Sequence, residues 1–193
     1  MKRTTRNAIA ALASPVRQEL FDVLEAIGGE ATVAELANHL GRAADGLYYH
    51  LECLRRVGLV DVVAGRSRAG RDERRYRLVG GDTRLELGAS PGNPSRARAV
   101  GRVVGGMLRI ARRNYDAAVA GGACSVGAAR DLWATRQVAW VTRGELAEIN
   151  RLLATLVAHI PRTRTSRRKK LISICVVLAP LRPTQRARPI RQL

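Results

Sequence analysis

The chain has 193 residues, of which 46% are hydrophobic and only 4% aromatic, and its 34 Lys and Arg against 16 Asp and Glu give a formal charge of +18. That length and apolar content suit one or two small domains with a core of Ala, Val, Leu and Ile, and the charge favours a polyanionic partner or an anionic surface. Three scattered cysteines, Cys53, Cys124 and Cys175, argue against a disulfide framework and fit a reducing cytoplasm, the expected location.

The N-terminus "MKRTTRNAIAALASP" is basic, but its apolar stretch is too broken for a signal peptide. The longest apolar run, "LISICVVLAPL" at 171–181, is far short of the roughly 20 residues of a membrane helix. No membrane partner is expected. Charge is uneven along the chain: residues 1–80 hold 13 basic and 10 acidic side chains, and residues 81–193 hold 21 and 6. The second part therefore carries +15 of the +18.

Taken in chain order, Ser14-Pro15 predicts a helix start, with Ser as N-cap and Pro at the first helical position. Val16, Leu20, Val23, Leu24 and Ile27 follow at helical spacing, and Gly28-Gly29 ends the run. In "TVAELANHLG", Thr32 and Glu35 stand three apart as a capping box, with Leu36 and Leu40 on one face. After a short connection, "GRAADGLYYHLECLRRVGLV" predicts a further helix over 43–57, closed by Gly58. Then the period changes. "LVDVVAG" and "RRYRLVG" are short β-branched or aromatic runs on either side of "RSRAGRDE", the pattern of a hairpin with a basic tip.

Residues 81–95, rich in Gly, Pro and Ser, are expected to be a linker. A second region over 96–181 begins with an amphipathic helix carrying Val100, Val103, Val104, Met107, Leu108 and Ala111. Within it, "GRVVGG" at 101–106 marks close packing. "QVAWVT" reads as a strand, and Thr142 with Glu145 opens a helix whose core face is Leu146, Ile149, Leu153, Leu156, Val157 and Ile160. The basic loop "RTRTSRRKK" then leads into an apolar strand at 171–179, expected to pair beside 136–142. Trp133 and Trp140 are read as core aromatics in preference to the lining of an effector pocket. The tail 182–193 is Arg- and Pro-rich and expected to be disordered.

The fold class expected is α+β: an N-terminal winged helix-turn-helix domain over 1–80 with a C-terminal helix–strand–helix–strand appendage. In such a pair the second helix lies in the major groove. Leu47, Leu51 and Leu54 recur at i, i+4 and i+7 and face inward, so Ala44, Asp45, Tyr48 and Tyr49 face outward. Tyr hydroxyls reach phosphates or bases while the rings press on sugars and thymine methyls. Ala43, Ala44 and Gly46 are small enough to let the helix end approach closely.

The stretches "ALASPVRQELFDVLEA", "ATVAELANHLG" and "LYYHLECLRRVGLV", ending in the pattern HLxxLxxxGLV, resemble the ArsR-type winged helix-turn-helix of transcription regulators. The resemblance spans about residues 5–80. It implies a dimeric regulator of double-stranded DNA, with a basic wing at Arg66, Arg68, Arg71, Arg74 and Arg75. The expected DNA-binding set is Arg42, Ala44, Asp45, Tyr48 and Tyr49 with Arg66, Arg68, Arg71 and Arg74 of the wing. The paired cysteines of metal-sensing members are missing from "ELANHL", so no metal and no cofactor is expected. His39, His50 and Cys53 are too thin a set for a metal. His50 is expected under the hairpin, and His39 at a helix end.

The expected function is sequence-specific DNA-binding regulation, with residues 96–181 dimerising the chain and leaving room for an unidentified effector. The alternative is a winged-helix module for RNA or protein contact. An enzyme is not expected, because GxGxxG, GxxxxGK, GxSxG and HExxH are all missing.

Overall fold

The computed structural model describes residues 6–66, 72–80, 93–160 and 170–181. In chain order the elements are α1 (Arg6–Ala11), α2 (Pro15–Ala26), β1 (Glu30–Thr32), α3 (Val33–Leu40), α4 (Asp45–Arg56), β2 (Val60–Arg66), β3 (Asp72–Leu78), α5 (Pro94–Ala120) and α6 (Arg143–His159). The fold is α+β, with an N-terminal helix-turn-helix unit, a small antiparallel sheet and C-terminal helices.

Local chemistry sets most boundaries. Ser14 and Pro15 start α2 as expected, although the Ser14 side chain makes no capping hydrogen bond. The Thr32–Glu35 capping box forms in full: Glu35 N–H donates to Thr32 Oγ1 at 3.1 Å, and Thr32 N–H donates to Glu35 Oε2 at 2.8 Å. Gly41 closes α3 at φ +61°, the left-handed region where a Cβ is costly. The second capping box, Thr142 with Glu145, likewise opens α6.

The sheet has the order β1-β3-β2. The expected hairpin is present, with Val60 opposite Leu78 and Val62 opposite Tyr76. Its far edge holds a strand the sequence did not announce: β1 pairs antiparallel with β3, Ala31 opposite Tyr76. Thr32 serves as both the last residue of β1 and the cap of α3.

One core joins α1, α2, α3, α4, the sheet and the first half of α5. It includes Ile9, Leu12, Leu20, Phe21, Leu24, Leu36, Leu47, Leu51, Leu54, Val60, Tyr76, Ala99, Val100 and Val103. Burial of a Leu or Ile contributes about 1.5–3 kcal/mol relative to exposure. Residues 94 and 95, read from the sequence as linker, already belong to α5. Leu108, assigned to its core face, is exposed, and Ile110 is buried instead.

The close packing expected within 101–106 sits at Gly106. A Cβ there would lie 3.0 Å from Gln18 Oε1 and 3.8 Å from the Ala13 carbonyl oxygen, whereas one at Gly101 would meet nothing within 4 Å. Gln18 Oε1 is itself buried without a hydrogen-bond partner among the described residues.

The C-terminal part departs from its expected packing. Residues 133–141 and 171–181 form no helix and no ladder, so the pairing of 136–142 with 171–179 is not present. No residue of α6 is buried. Trp133 and Trp140, expected in a core, are 68% and 96% exposed. The apolar pattern marks a surface that hydrophobicity drives to be covered; among the described residues Arg130 stacks over the Trp133 ring at 4.5 Å, while Trp140 stays 96% exposed. The basic loop lies mostly outside the described residues, as does the tail.

Gly101→Ala adds helix propensity in open space and should stabilise the protein by about 0.5–1 kcal/mol. Gly106→Leu should destabilise it by about 1–3 kcal/mol through overpacking on Gln18. Thermal melts monitored by circular dichroism check the opposite signs.

Candidate nucleic-acid interface

The turn between α3 and α4 is Gly41-Arg42-Ala43-Ala44. It is held by Arg42 N–H donating to the Ala37 carbonyl at 3.1 Å and by Leu47 N–H donating to the Ala44 carbonyl at 2.9 Å. Leu47, Leu51 and Leu54 then dock α4 on the core at 1%, 0% and 0% exposure. Their burial fixes the rotation of α4 about its own axis. As a result Tyr48 and Tyr49 stand 51% and 69% exposed.

The two tyrosines are not equivalent. Tyr48 lies on the flank of α4 that faces the hairpin: the Tyr76 hydroxyl on β3 has its pKa raised by burial first, and then by charge interactions that include Tyr48 and Glu52. Tyr49 stacks edge-on against His50 with ring centroids 5.4 Å apart. Asp45 is exposed in the first turn of α4, where its charge complements the helix dipole. Ala44 is half-buried and packs on the core.

His50 is not under the hairpin. It is half-buried on the opposite flank, and its pKa is lowered by burial first, then by the charges of Arg17 and Arg42. Its Nδ1 is buried without a hydrogen-bond partner among the described residues. Arg17, on α2, was not singled out from the sequence. Only the fold brings it beside the start of α4.

Several arginines are already engaged. Arg42 donates to Glu19 Oε2 at 3.1 Å, and the Glu19 carboxylate also holds Arg113 of α5. Arg75 pairs with Glu30 at 2.8 Å and Glu35 at 3.3 Å, tying β3 to β1 and α3, so it is an internal clasp of the sheet. Arg55 and Arg56 both pair with Glu52, and these bonds hold the Glu52 carboxyl down to about 2. Arg74 is exposed on β3. Of the remaining wing arginines, Arg68 and Arg71 lie outside the described residues, as does the side chain of Arg66.

The result is one surface made of the N-terminal half of α4, the preceding turn and the hairpin. It carries two exposed phenols, with guanidinium groups at its edges. Among the described residues no group of three or more His, Cys, Asp or Glu could hold a metal ion. His39 is exposed in the last turn of α3. No helix of the described residues is long and apolar enough to cross a membrane.

Comparison with known proteins agrees with this geometry. A family model described as a helix-turn-helix domain matches residues 12–63, which run from the end of α1 into β2. No curated protein matches the chain. The chain therefore carries a helix-turn-helix domain, and the functional class this match supports is a DNA-binding regulator.

The lowered pKa of His50 has a stability consequence. Below about pH 6.5 the unfolded chain takes up a proton at His50 that the folded chain resists, so stability is retained above that pH and lost as pH falls through it. His50→Gln should therefore narrow the gap between the melting temperatures at pH 8 and pH 5. Paired thermal melts of wild type and variant measure it.

Proposed function

We propose that the protein is a sequence-specific, ArsR-type transcriptional regulator that binds double-stranded DNA as a homodimer. In this reading α4 enters the major groove, and the hairpin lies along the phosphate backbone. The observation that carries it is the division of α4 into two sides: three leucines fully buried and two adjacent tyrosines exposed next to a basic hairpin. An interior helix would bury both sides. A merely solvated helix has little use for two neighbouring exposed aromatics.

Roles follow from position. Tyr49, the more exposed, reaches base edges or thymine methyls. Tyr48 sits at the angle between α4 and the hairpin, where a hydroxyl contacts phosphate or sugar. The small side chains of Ala43, Ala44 and Gly46 let the helix start approach the groove, and Asp45 is an acceptor for a cytosine amino group. Arg42 and Arg74, with Arg66, Arg68 and Arg71 of the wing, neutralise phosphates. Two half-sites about 34 Å apart require two copies of the domain. The balance of the +18 charge adds affinity that does not depend on sequence and falls with salt.

The experiment is a fluorescence-anisotropy titration on duplexes selected from a random pool, compared with scrambled duplexes over a series of salt concentrations. Tyr49→Ala should cost about 1–3 kcal/mol on selected duplexes and little on scrambled ones. Arg74→Ala should weaken both alike and reduce the salt slope by about one. If both variants weaken every duplex equally, the division of roles is wrong. If single-stranded RNA displaces duplex at equal concentration, the DNA reading is wrong.

A further inference from the structure

Past the first residue of each helix, the arginines of α4 and α6 all pair with a glutamate one turn earlier: Arg55 and Arg56 with Glu52, and Arg151 with Glu148. The long helix α5 is different. It holds six arginines and one acid, Asp116, which pairs with Arg112. Arg98, Arg102 and Arg109 are exposed and have no acidic partner among the described residues. Like charges at i and i+4, as at Arg98 and Arg102, work against the helix that carries them.

These cations form a row. At 3.6 residues per turn, Arg98, Arg102, Arg109 and Arg113 fall within about 60° of one another, along about 22 Å of helix. At the start of the row, Arg98 and Arg102 line a groove of about 270 Å³ between α5 and α1, together with Asn7, Ala10, Ser95 and Ala99. Asn7 adds an amide donor, and none of these lining residues is a carboxylate. In the middle, the Arg109 guanidinium lies over Gly105, where a Cβ would sit 3.6 Å from it, one turn back toward Arg102. At the far end Arg113 shares the Glu19 carboxylate with Arg42. The row therefore leads from the α1 groove to the turn before α4.

The shape of the row narrows the choice of partner. A small anion in the groove would meet Arg98 and Arg102 and leave Arg109 open. A lipid surface takes up helices that offer an apolar face, and that of α5, with Val100, Val103 and Ile110, is already buried. Duplex DNA presents one charge per about 1.7 Å of its axis, and a guanidinium fork binds phosphate with two parallel hydrogen bonds.

We propose that Arg98, Arg102 and Arg109, with the groove against α1, form a second phosphate-binding surface that holds the DNA backbone beside the stretch read by α4. The proposal rests on the DNA-binding reading above, because that reading brings the duplex to Arg42, where the row ends.

The test is a fluorescence-anisotropy titration of the full chain on its selected duplex over a series of salt concentrations. Three variants are compared: Arg98→Gln with Arg102→Gln, Arg109→Gln alone, and Arg143→Gln with Arg151→Gln on α6 as a control of equal charge. The expected salt slope falls by about two in the first and about one in the second, and is unchanged in the control. Affinity of the first should drop roughly tenfold or more at about 0.1 M salt. Its ratio of selected to scrambled binding should stay at the wild-type value, because phosphate contacts carry no sequence information. Arg98→Lys with Arg102→Lys should keep the wild-type slope, and all variants should keep wild-type helical circular dichroism.

A double variant that matches the α6 control overturns the proposal, and discrimination that still depends on Tyr49 then leaves the DNA reading standing. A wild type that ignores duplex overturns both. Inorganic phosphate that stabilises wild type but not the double variant in thermal melts, with duplex binding equal in the two, makes the groove a small-anion site and overturns the proposal. So does a loss of slope seen on single-stranded RNA and not on duplex.

Discussion

Three leucines on one side of α4 decide what the rest of the N-terminal unit presents to solvent. Leu47, Leu51 and Leu54 lie against a core supplied by α2, α3 and the sheet. Exposing even one fully buried Leu costs about 1.5–3 kcal/mol. Turning α4 by a single residue step would swing the leucines off the core and bring Tyr48, Glu52 and Arg55, or in the other sense Gly46, His50 and Cys53, in their place, so the helix has one rotational setting. That setting faces Tyr49 outward and leaves Tyr48 beside the hairpin. Gly41, in the left-handed region, and the short turn after it set the angle at which α4 leaves α3.

The elements read best from the sequence were those whose cause is local. The capping boxes at Thr32–Glu35 and Thr142–Glu145, the Ser14-Pro15 start and the leucine spacing of α4 are each complete within one or two turns. The six-residue α1 and three-residue β1 escaped notice because neither is long enough to show a period. β1 exists because β3 is there to pair with it. The same logic explains the engaged arginines. Arg75 reads as one more wing cation until the fold brings Glu30, 45 positions away in sequence, within 2.8 Å.

The C-terminal apolar runs failed as core predictions for a different reason. Alternation and hydrophobicity say that a segment needs cover, and they are silent on whether the cover belongs to the same chain. Trp140, at 96% exposure, shows the apolar pattern without the core it was assigned to. The arrangement of charge is consistent with this. The polar faces of α5 carry the exposed Arg98, Arg102 and Arg109, while 171–181 is uncharged and 133–141 holds a single charge, Arg136.

The two guanidinium groups on Glu19 bear on how the turn before α4 and the long α5 helix depend on each other. A nearly buried carboxylate that loses its only cation is strongly destabilising, and Glu19 has two, Arg42 from the turn and Arg113 from α5. Arg42 can therefore exchange the carboxylate for another anion while Arg113 keeps the buried charge compensated. Release of the turn and retention of the α5 pairing are thus separable at one carboxylate.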